Sequence, residues 1–284
     1  MTPEVLLDGL VFPESPRWHD GELWVSDIFG ERIVAVTPEG RSREVLALHE
    51  RPTGLGFMPD GSALIVSRRD QRIRRLAPDG LHPYADLSGL PGERADDMVV
   101  DAQGRAYVNR RNVFAGGGEP TRPSYIALVM PDGSASIVAD GLHHPNGMVI
   151  TPDGSTLIVA ETRGNRLSAF DISADGSLTN GRVFASLGEL TPDGICLDAE
   201  MGVWVGTVWS GGFIRVVEGG EITHHISTPG KWAVAPILGG VDRMTLFLGT
   251  CQTTLLDCRT IETTGKSIGW IETVRVDVPG AGWP

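Results

Sequence analysis

Glu14, Asp96, Asn146 and Asp193 are oxygen donors that recur at one equivalent position of a repeated sequence unit. Each unit opens with Pro or Ala followed by that position, which reads Glu14, Thr53, Asp96, Asn146, Asp193 and Pro236 in turn. Three carboxylates and an amide brought around one axis would hold a hard cation, and oxygen-only donors suit Ca²⁺, Mg²⁺ or Mn²⁺ better than thiol-seeking metals. Left alone the carboxylates repel: at ~4 Å and an effective dielectric of ~20, each pair costs about 4 kcal/mol. No ring position is His or Cys, which argues against a zinc-specific structural site. A cation so placed polarises a carbonyl or phosphoryl oxygen and acidifies water, and a neighbouring carboxylate can serve as general base. Arg94 stands two residues before Asp96, so on a strand it faces the same side and can orient an oxyanion or hydroxyl groups.

Each residue also has a plainer reading. Thr191-Pro192-Asp193-Gly194 is a common turn sequence, and Asn146 in His144-Pro145-Asn146-Gly147 suits a turn or a cap. Glu14 lies between Pro13 and Pro16 beside apolar residues, where a turn role fits poorly. Asp96 and Asp97 are adjacent, and strand alternation allows one of them, Asp96 by register, to face the axis. Arg94 has a surface ion pair as its alternative. His143 and His144 read first as solvated or structural residues, and Trp18, Trp204, Trp209 and Trp232 as packing residues, with Trp209 and Trp232 also placed to wall a pocket.

The units that must position these residues start at Pro13, Pro52, Ala95, Pro145, Pro192 and Ala235, at intervals of 39, 43, 50, 47 and 43 residues, the range of propeller blades. An apolar run follows in each, such as Leu23-Trp24-Val25, Leu157-Ile158-Val159 and Leu246-Phe247-Leu248. Turns at Pro59-Asp60-Gly61, Ala102-Gln103-Gly104, Pro152-Asp153-Gly154, Pro38-Glu39-Gly40, Pro78-Asp79-Gly80 and Pro131-Asp132-Gly133 supply the left-handed dihedrals of tight hairpins. No long amphipathic helix is legible. The spacing predicts an all-β, six-bladed β-propeller over residues 1–284 as a single domain. Glu4-Val5-Leu6-Leu7 has no partner of its own and is expected to join the last blade as its outer strand, closing the ring. Residues 110–123 break the pattern and are expected to form a long loop over one face.

The 284-residue chain carries a formal net charge of −12 with 37 Gly and 19 Pro. That charge disfavours nucleic-acid and anionic-membrane partners. No apolar run approaches the ~20 residues of a membrane span, and the N-terminus lacks a basic, apolar leader pattern. Cys196, Cys251 and Cys258 show neither zinc-type pairing nor a disulfide framework. A cytoplasmic protein with a small-molecule substrate is expected; the sequence does not set its oligomeric state. Gly116-Gly117-Gly118 is followed by no helical pattern and is no phosphate cradle, and neither a nucleophile elbow nor a dinucleotide fingerprint occurs.

In this order, Pro13-Glu14-Ser15-Pro16-Arg17-Trp18, Arg94-Ala95-Asp96-Asp97, His144-Pro145-Asn146-Gly147-Met148, Pro192-Asp193-Gly194-Ile195, Leu238-Gly239-Gly240 and Val276-Asp277-Val278-Pro279-Gly280 resemble the senescence marker protein / gluconolactonase / luciferin-regenerating enzyme family, over nearly the whole chain. The resemblance implies a six-bladed propeller with one catalytic divalent cation, Ca²⁺ first, with Mg²⁺, Mn²⁺, Zn²⁺ or Fe²⁺ as alternatives. It places the metal on Glu14, Asn146 and Asp193, and substrate handling on Arg94 and Asp96. Asp96 replaces the family's usual Asn and adds negative charge; some lactonases of the family also carry Asp-Asp there. The expected activity is metal-dependent lactone hydrolysis, with Asp193 or Asp96 as base. Phosphotriester hydrolysis or another reaction at the same metal, and a non-catalytic metabolite-binding propeller, stand as the alternatives.

Overall fold

The computed structural model describes residues 1–92, 94–111 and 124–282. Strand β1 (Glu4–Leu10) comes first, and five antiparallel meanders follow it. They are β2 (Pro13–His19), β3 (Glu22–Asp27), β4 (Arg32–Val36) and β5 (Ser42–Ala47); then β6 (Pro52–Phe57), β7 (Ala63–Ser67), β8 (Arg72–Ala77) and β9 (Gly80–Asp86). The third holds β10 (Arg94–Val100), β11 (Ala106–Arg111), β12 (Ser124–Val129) and β13 (Ala135–Leu142). The fourth holds β14 (Pro145–Ile150), β15 (Thr156–Glu161), β16 (Arg166–Ile172) and β17 (Leu178–Ser186). The fifth holds β18 (Pro192–Leu197), β19 (Val203–Thr207), β20 (Gly212–Val216) and β21 (Ile222–Ser227). The last sheet is β22 (Trp232–Gly239), β23 (Thr245–Gln252) and β24 (Ile268–Arg275), with β1 paired antiparallel to β24. The first strands of the six sheets contact one another in sequence, and β22 returns to β2, so the sheets form a closed six-bladed propeller.

Burial follows position in the blade. β6 and β18 are buried at every residue, whereas the outer β5 is half exposed. Apolar side chains of neighbouring sheets fill the gaps between blades, as where Leu23, Val25 and Val36 meet Ile237, Leu246 and Leu248. The innermost strand of each blade is an edge of its own sheet, so Pro13, Pro52, Pro145 and Pro192 open such strands without losing a ladder hydrogen bond. The predicted turn glycines are left-handed, with φ of 82° at Gly61 and 77° at Gly104.

Two departures from the sequence expectation stand out. The sixth unit starts two residues earlier than expected: Ala233 pairs with Thr250 as Pro192 pairs with Thr207, so its ring position is Val234 and not Pro236. Pro236 instead pairs with Leu248, the register place of Ile195 opposite Val205. A ten-residue helix, α1 (Leu255–Thr264), lies between β23 and β24. Thr254 caps it by accepting from the Asp257 N–H at 3.0 Å, and Gly265 ends it at φ 61°. Its Ile261 packs with Phe12, Ile28 and Val234, at the mouth where the inner strands begin. The loop expected over 110–123 is replaced at its start by the end of β11, and residues 112–123 lie outside the described residues. Among the described residues no helix is long and apolar enough to cross a membrane.

Candidate active site

Every inner strand has a register irregularity just inside its start. It falls between Glu14 and Arg17, Pro52 and Leu55, Ala95 and Met98, Pro145 and Met148, Pro192 and Ile195, and Ala233 and Ala235. Such bulges re-aim side chains. Here they fall on the ring positions, so Glu14, Asp96, Asn146 and Asp193 all lie at one mouth of the channel. Ser15, in the first bulge, has a left-handed φ of 46°.

The backbone around the bulges is packed tightly between blades. A Cβ at Gly147 would come within 2.6 Å of the Ile195 nitrogen and 2.8 Å of the Asp193 carbonyl, and one at Gly54 would come within 2.6 Å of the Asp96 carbonyl. Side chains from two second strands, β11 and β3, reach the bulge of the next blade. Asn109 is fully buried; its Oδ1 accepts from the N–H of Asp96 and of Asp97, both at 3.2 Å, and its Nδ2 donates to the Asn146 carbonyl at 3.0 Å. Ser26 donates to the Thr53 carbonyl at 2.6 Å in the same way.

Asn146 and Asp193 touch directly: the amide Nδ2 donates to Asp193 Oδ1 and also reaches Thr162 Oγ1 at 3.2 Å. Burial drives the Asp193 carboxyl up to about 7, and Asp97 and Asp96 push the same way against Arg111 and the Asn146 hydrogen bond. Glu14 lies well above the usual carboxylate range, from burial first and then the charges of Asp193 and Asp97; the Ser15 N–H, 3.2 Å from Oε2, opposes them. Both carboxyls are thus held in surroundings that favour loss of charge.

The expectation that alternation lets only one of Asp96 and Asp97 approach the site does not hold, because the bulge puts both residues between the paired Ala95 and Met98. Asp97 accepts from Ser15 Oγ at 2.8 Å and the Met98 N–H at 2.8 Å, with Arg17 at 3.5 Å. Asp96 turns the other way. Arg68 Nε stands 3.2 Å from its Oδ1, and Arg111 Nε lies against its Oδ2 as an ion pair. Burial would raise Asp96, but Arg111, Arg68 and Arg94 outweigh it and hold the carboxyl at about 2. Arg111 Nη1 also meets His144 Nε2 at 2.5 Å, and burial and that guanidinium push His144 down to about 3, so its ring is the neutral acceptor.

Arg68, Arg111, Asn109 and Thr162 escaped the sequence reading. They come from or just after second strands, which return to the mouth where the first strands begin. Pairing offered part of a signal: counting back around the Ala102-Gln103-Gly104 turn from Val100 opposite Ala106 puts Arg111 opposite Ala95, and the bulge between Ala95 and Met98 shifts it by one to Arg94. Among the described residues, no three His, Cys, Asp or Glu side chains group closely enough to hold a metal by themselves. A divalent cation here would rest on Glu14, Asp193 and the Asn146 amide. That set fits a hard cation: the donors are all oxygen, and two of them are carboxyls pushed toward neutrality by burial first and then by neighbouring carboxylates. Trp18 lies at the opposite mouth, where a cavity of about 500 Å³ is lined by Trp18, His19, Phe57, Leu238 and Arg243. None of the ring residues lines it. Cys196 borders it, with its thiol pushed up by burial, as a packing residue rather than a nucleophile.

Residues 12–252 match the sequence profile of the SMP-30/Gluconolactonase/LRE-like region. The chain is 25% identical to pentonolactonase XacC of Haloferax volcanii, across 84% of this chain and 80% of that protein. It is 27% identical to lactonase drp35 of Staphylococcus saprophyticus, across 96% of this chain and 84% of the relative. Its fold superposes on regucalcin, a calcium-binding protein from Agrobacterium tumefaciens, with a TM-score of 0.80 at 24% identity, covering 100% of this chain and 96% of the other. At that identity the superposition speaks for the fold.

Proposed function

The chain belongs to the SMP-30/gluconolactonase/LRE-like family, and on that premise we propose that it is a lactonase, which opens a small cyclic ester with water. The observation that carries this reading is the meeting of two buried carboxyls, Glu14 and Asp193, at one mouth of the channel, with the Asn146 amide donating to Asp193 Oδ1. Two lactonases among the relatives, acting on lactones as their names state, support the same chemistry.

In this proposal Glu14, Asn146 and Asp193 hold a divalent cation. Bound there, the cation supplies Lewis acidity for the ester carbonyl and for water. Asn146 keeps Asp193 in one orientation through Oδ1, leaving Oδ2 to take a proton from the attacking water. The water oxygen bonds to the acyl carbon, the ring C–O bond breaks, and the ring oxygen leaves as a hydroxyl after taking up a proton. The product is a hydroxy acid. Of the two base candidates, Asp193 is the better matched, since Asp96 sits near pKa 2 between two guanidiniums and holds a proton poorly. Arg94, which acts on Asp96 through space, orients the substrate.

A lactone panel assayed with and without chelator tests this. Turnover that falls at least ~100-fold on chelation and returns with Ca²⁺, Mg²⁺ or Mn²⁺ is expected. Undiminished turnover in metal-free protein removes the metal from the mechanism, and no hydrolysis of any lactone removes the lactonase reading.

A further inference from the structure

The segment that follows β24 has no part in the candidate active site, yet it is built into the opposite mouth of the channel. It runs from the last blade onto the fifth. The Val276 N–H donates to the Met244 carbonyl at 3.0 Å and the Gly280 N–H to the Arg243 carbonyl at 2.9 Å, both in the last blade. The Ala281 N–H donates to the Leu197 carbonyl at 3.0 Å, and the Pro279 carbonyl accepts from the Ala199 N–H at 2.8 Å, both in the fifth. Gly280 to Gly282 thereby wall one side of the cavity of about 500 Å³, opposite the residues that β2 and β6 supply.

A space of that size suits a small organic ligand. Its aromatic walls are held by their own neighbours: Trp18 stacks on Phe247 with ring centroids 5.3 Å apart, and His19 stacks on Phe57 at 3.6 Å. Ile237 and Leu238 are buried beside them. Such surface receives a flat apolar ring. The charges of the lining are uneven. Arg243 is the one Lys or Arg among the described lining residues. Its guanidinium forms no ion pair or hydrogen bond with the described residues, since the adjacent Asp242 carboxylate is taken by Arg275. A Cβ at Gly282 would collide with Arg243 Nη1, so the bare glycine lets the guanidinium lie against the cavity wall. The carboxylates of the lining are engaged or turned outward. Asp60 accepts from Arg75 and Ser62, and the Asp20 side chain is 90% exposed beside His19. A guanidinium at the rim of an aromatic cavity is shaped to take a carboxylate through parallel hydrogen bonds.

We propose that this cavity is a second binding site, for a small aromatic carboxylate, with the ring against Trp18 and Phe57 and the carboxylate on Arg243. The site is separate from the lactone chemistry of the other mouth.

Calorimetric titration with 3-phenylpropionate and 3-phenylpropan-1-ol tests this, the second probe carrying a hydroxymethyl group where the first has its carboxylate. At low salt the wild-type protein is expected to bind the acid about 5-fold or more tighter than the alcohol. Arg243→Gln should bring the two within about 2-fold, and Trp18→Leu should weaken both by about 5-fold or more. Asn146→Ala, at the other mouth, should leave both affinities unchanged. Melting temperatures are measured alongside, and Phe57→Leu replaces Trp18→Leu should the latter fail to fold. No binding of the acid, equal binding of the two probes, or a preference that survives Arg243→Gln overturns the second site. Loss of acid binding in folded Asn146→Ala would put the acid at the other mouth and overturns it as well. Lactone hydrolysis is read separately by the chelator assay, so either reading can fail while the other stands.

Discussion

Asp193 and Glu14 are acids whose surroundings favour the protonated form, and this has a thermodynamic signature apart from catalysis. With its folded pKa near 7, raised above the unfolded value, Asp193 keeps a proton that the unfolded chain releases near pH 4. The folded state binds more protons in that window, so this residue's contribution to stability is lost as pH rises from about 4 to about 7. His144 works the opposite way, since its folded value near 3 makes the unfolded chain the better proton binder up to about pH 6.5. Comparison with a variant isolates the carboxylate. In chelator, Asp193→Asn is expected to be more stable than wild type at pH 8 by about 1–4 kcal/mol, and to lose most of that advantage at pH 5. Cation addition should raise the wild-type melting temperature at pH 8 and leave the variant's unchanged. Denaturant melts at the two pH values check this, and a variant no more stable than wild type at pH 8 would remove the strained carboxylate from the account.

The inner strand is the element that brings four remote residues, Glu14, Asp96, Asn146 and Asp193, to one mouth. Its bulge aims the ring residue at the axis, and in β6, β14 and β18 a glycine, Gly54, Gly147 or Gly194, lets the next blade's backbone come close. Gly147 is the sharpest instance: its missing Cβ is the space occupied by the backbone of Asp193 to Ile195. Gly147→Ala must push β14 from β18, against backbone that cannot swing aside as a side chain would. A stability loss of about 1–3 kcal/mol is expected, with a weakened Asn146–Asp193 contact and reduced divalent-cation affinity. Melting temperature and calorimetric cation titration measure the two effects. A variant that binds cation like wild type would show that the blades yield more than their packing suggests. The same element explains why the sixth ring position was misplaced. Ala233 and Ala235 look alike in sequence, and β22 separates Ala233 from Ala235 by one intervening residue where β18 separates Pro192 from Ile195 by two.

At the scale of the whole molecule, the ring is held shut by β1, which supplies the fourth strand of the sheet that also contains the last residues of the repeat. Leu6, Leu7 and Leu10 of that strand pack against the core shared by the first and last blades. Removing residues 1–10 strips those contacts and bares the edge of β24. A loss of about 3–6 kcal/mol is expected from the apolar burial alone, with self-association through the open edge. Thermal melts and light scattering on the truncated chain test this, and an unchanged melting temperature would show that the ring closes without its clasp. Six-fold repetition, turn chemistry, the closing strand and the oxygen-donor ring were all legible in the sequence, because local pattern sets strand, turn and repeat, and a repeat forces its equivalent residues around an axis. Arg68 and Arg111, the bulge that lets Asp96 and Asp97 point apart, the short helix over the mouth and the true ring place of Val234 were decided by tertiary structure. Each depends on which backbone meets which across a hairpin or between blades, and the chain carries no local mark of those meetings.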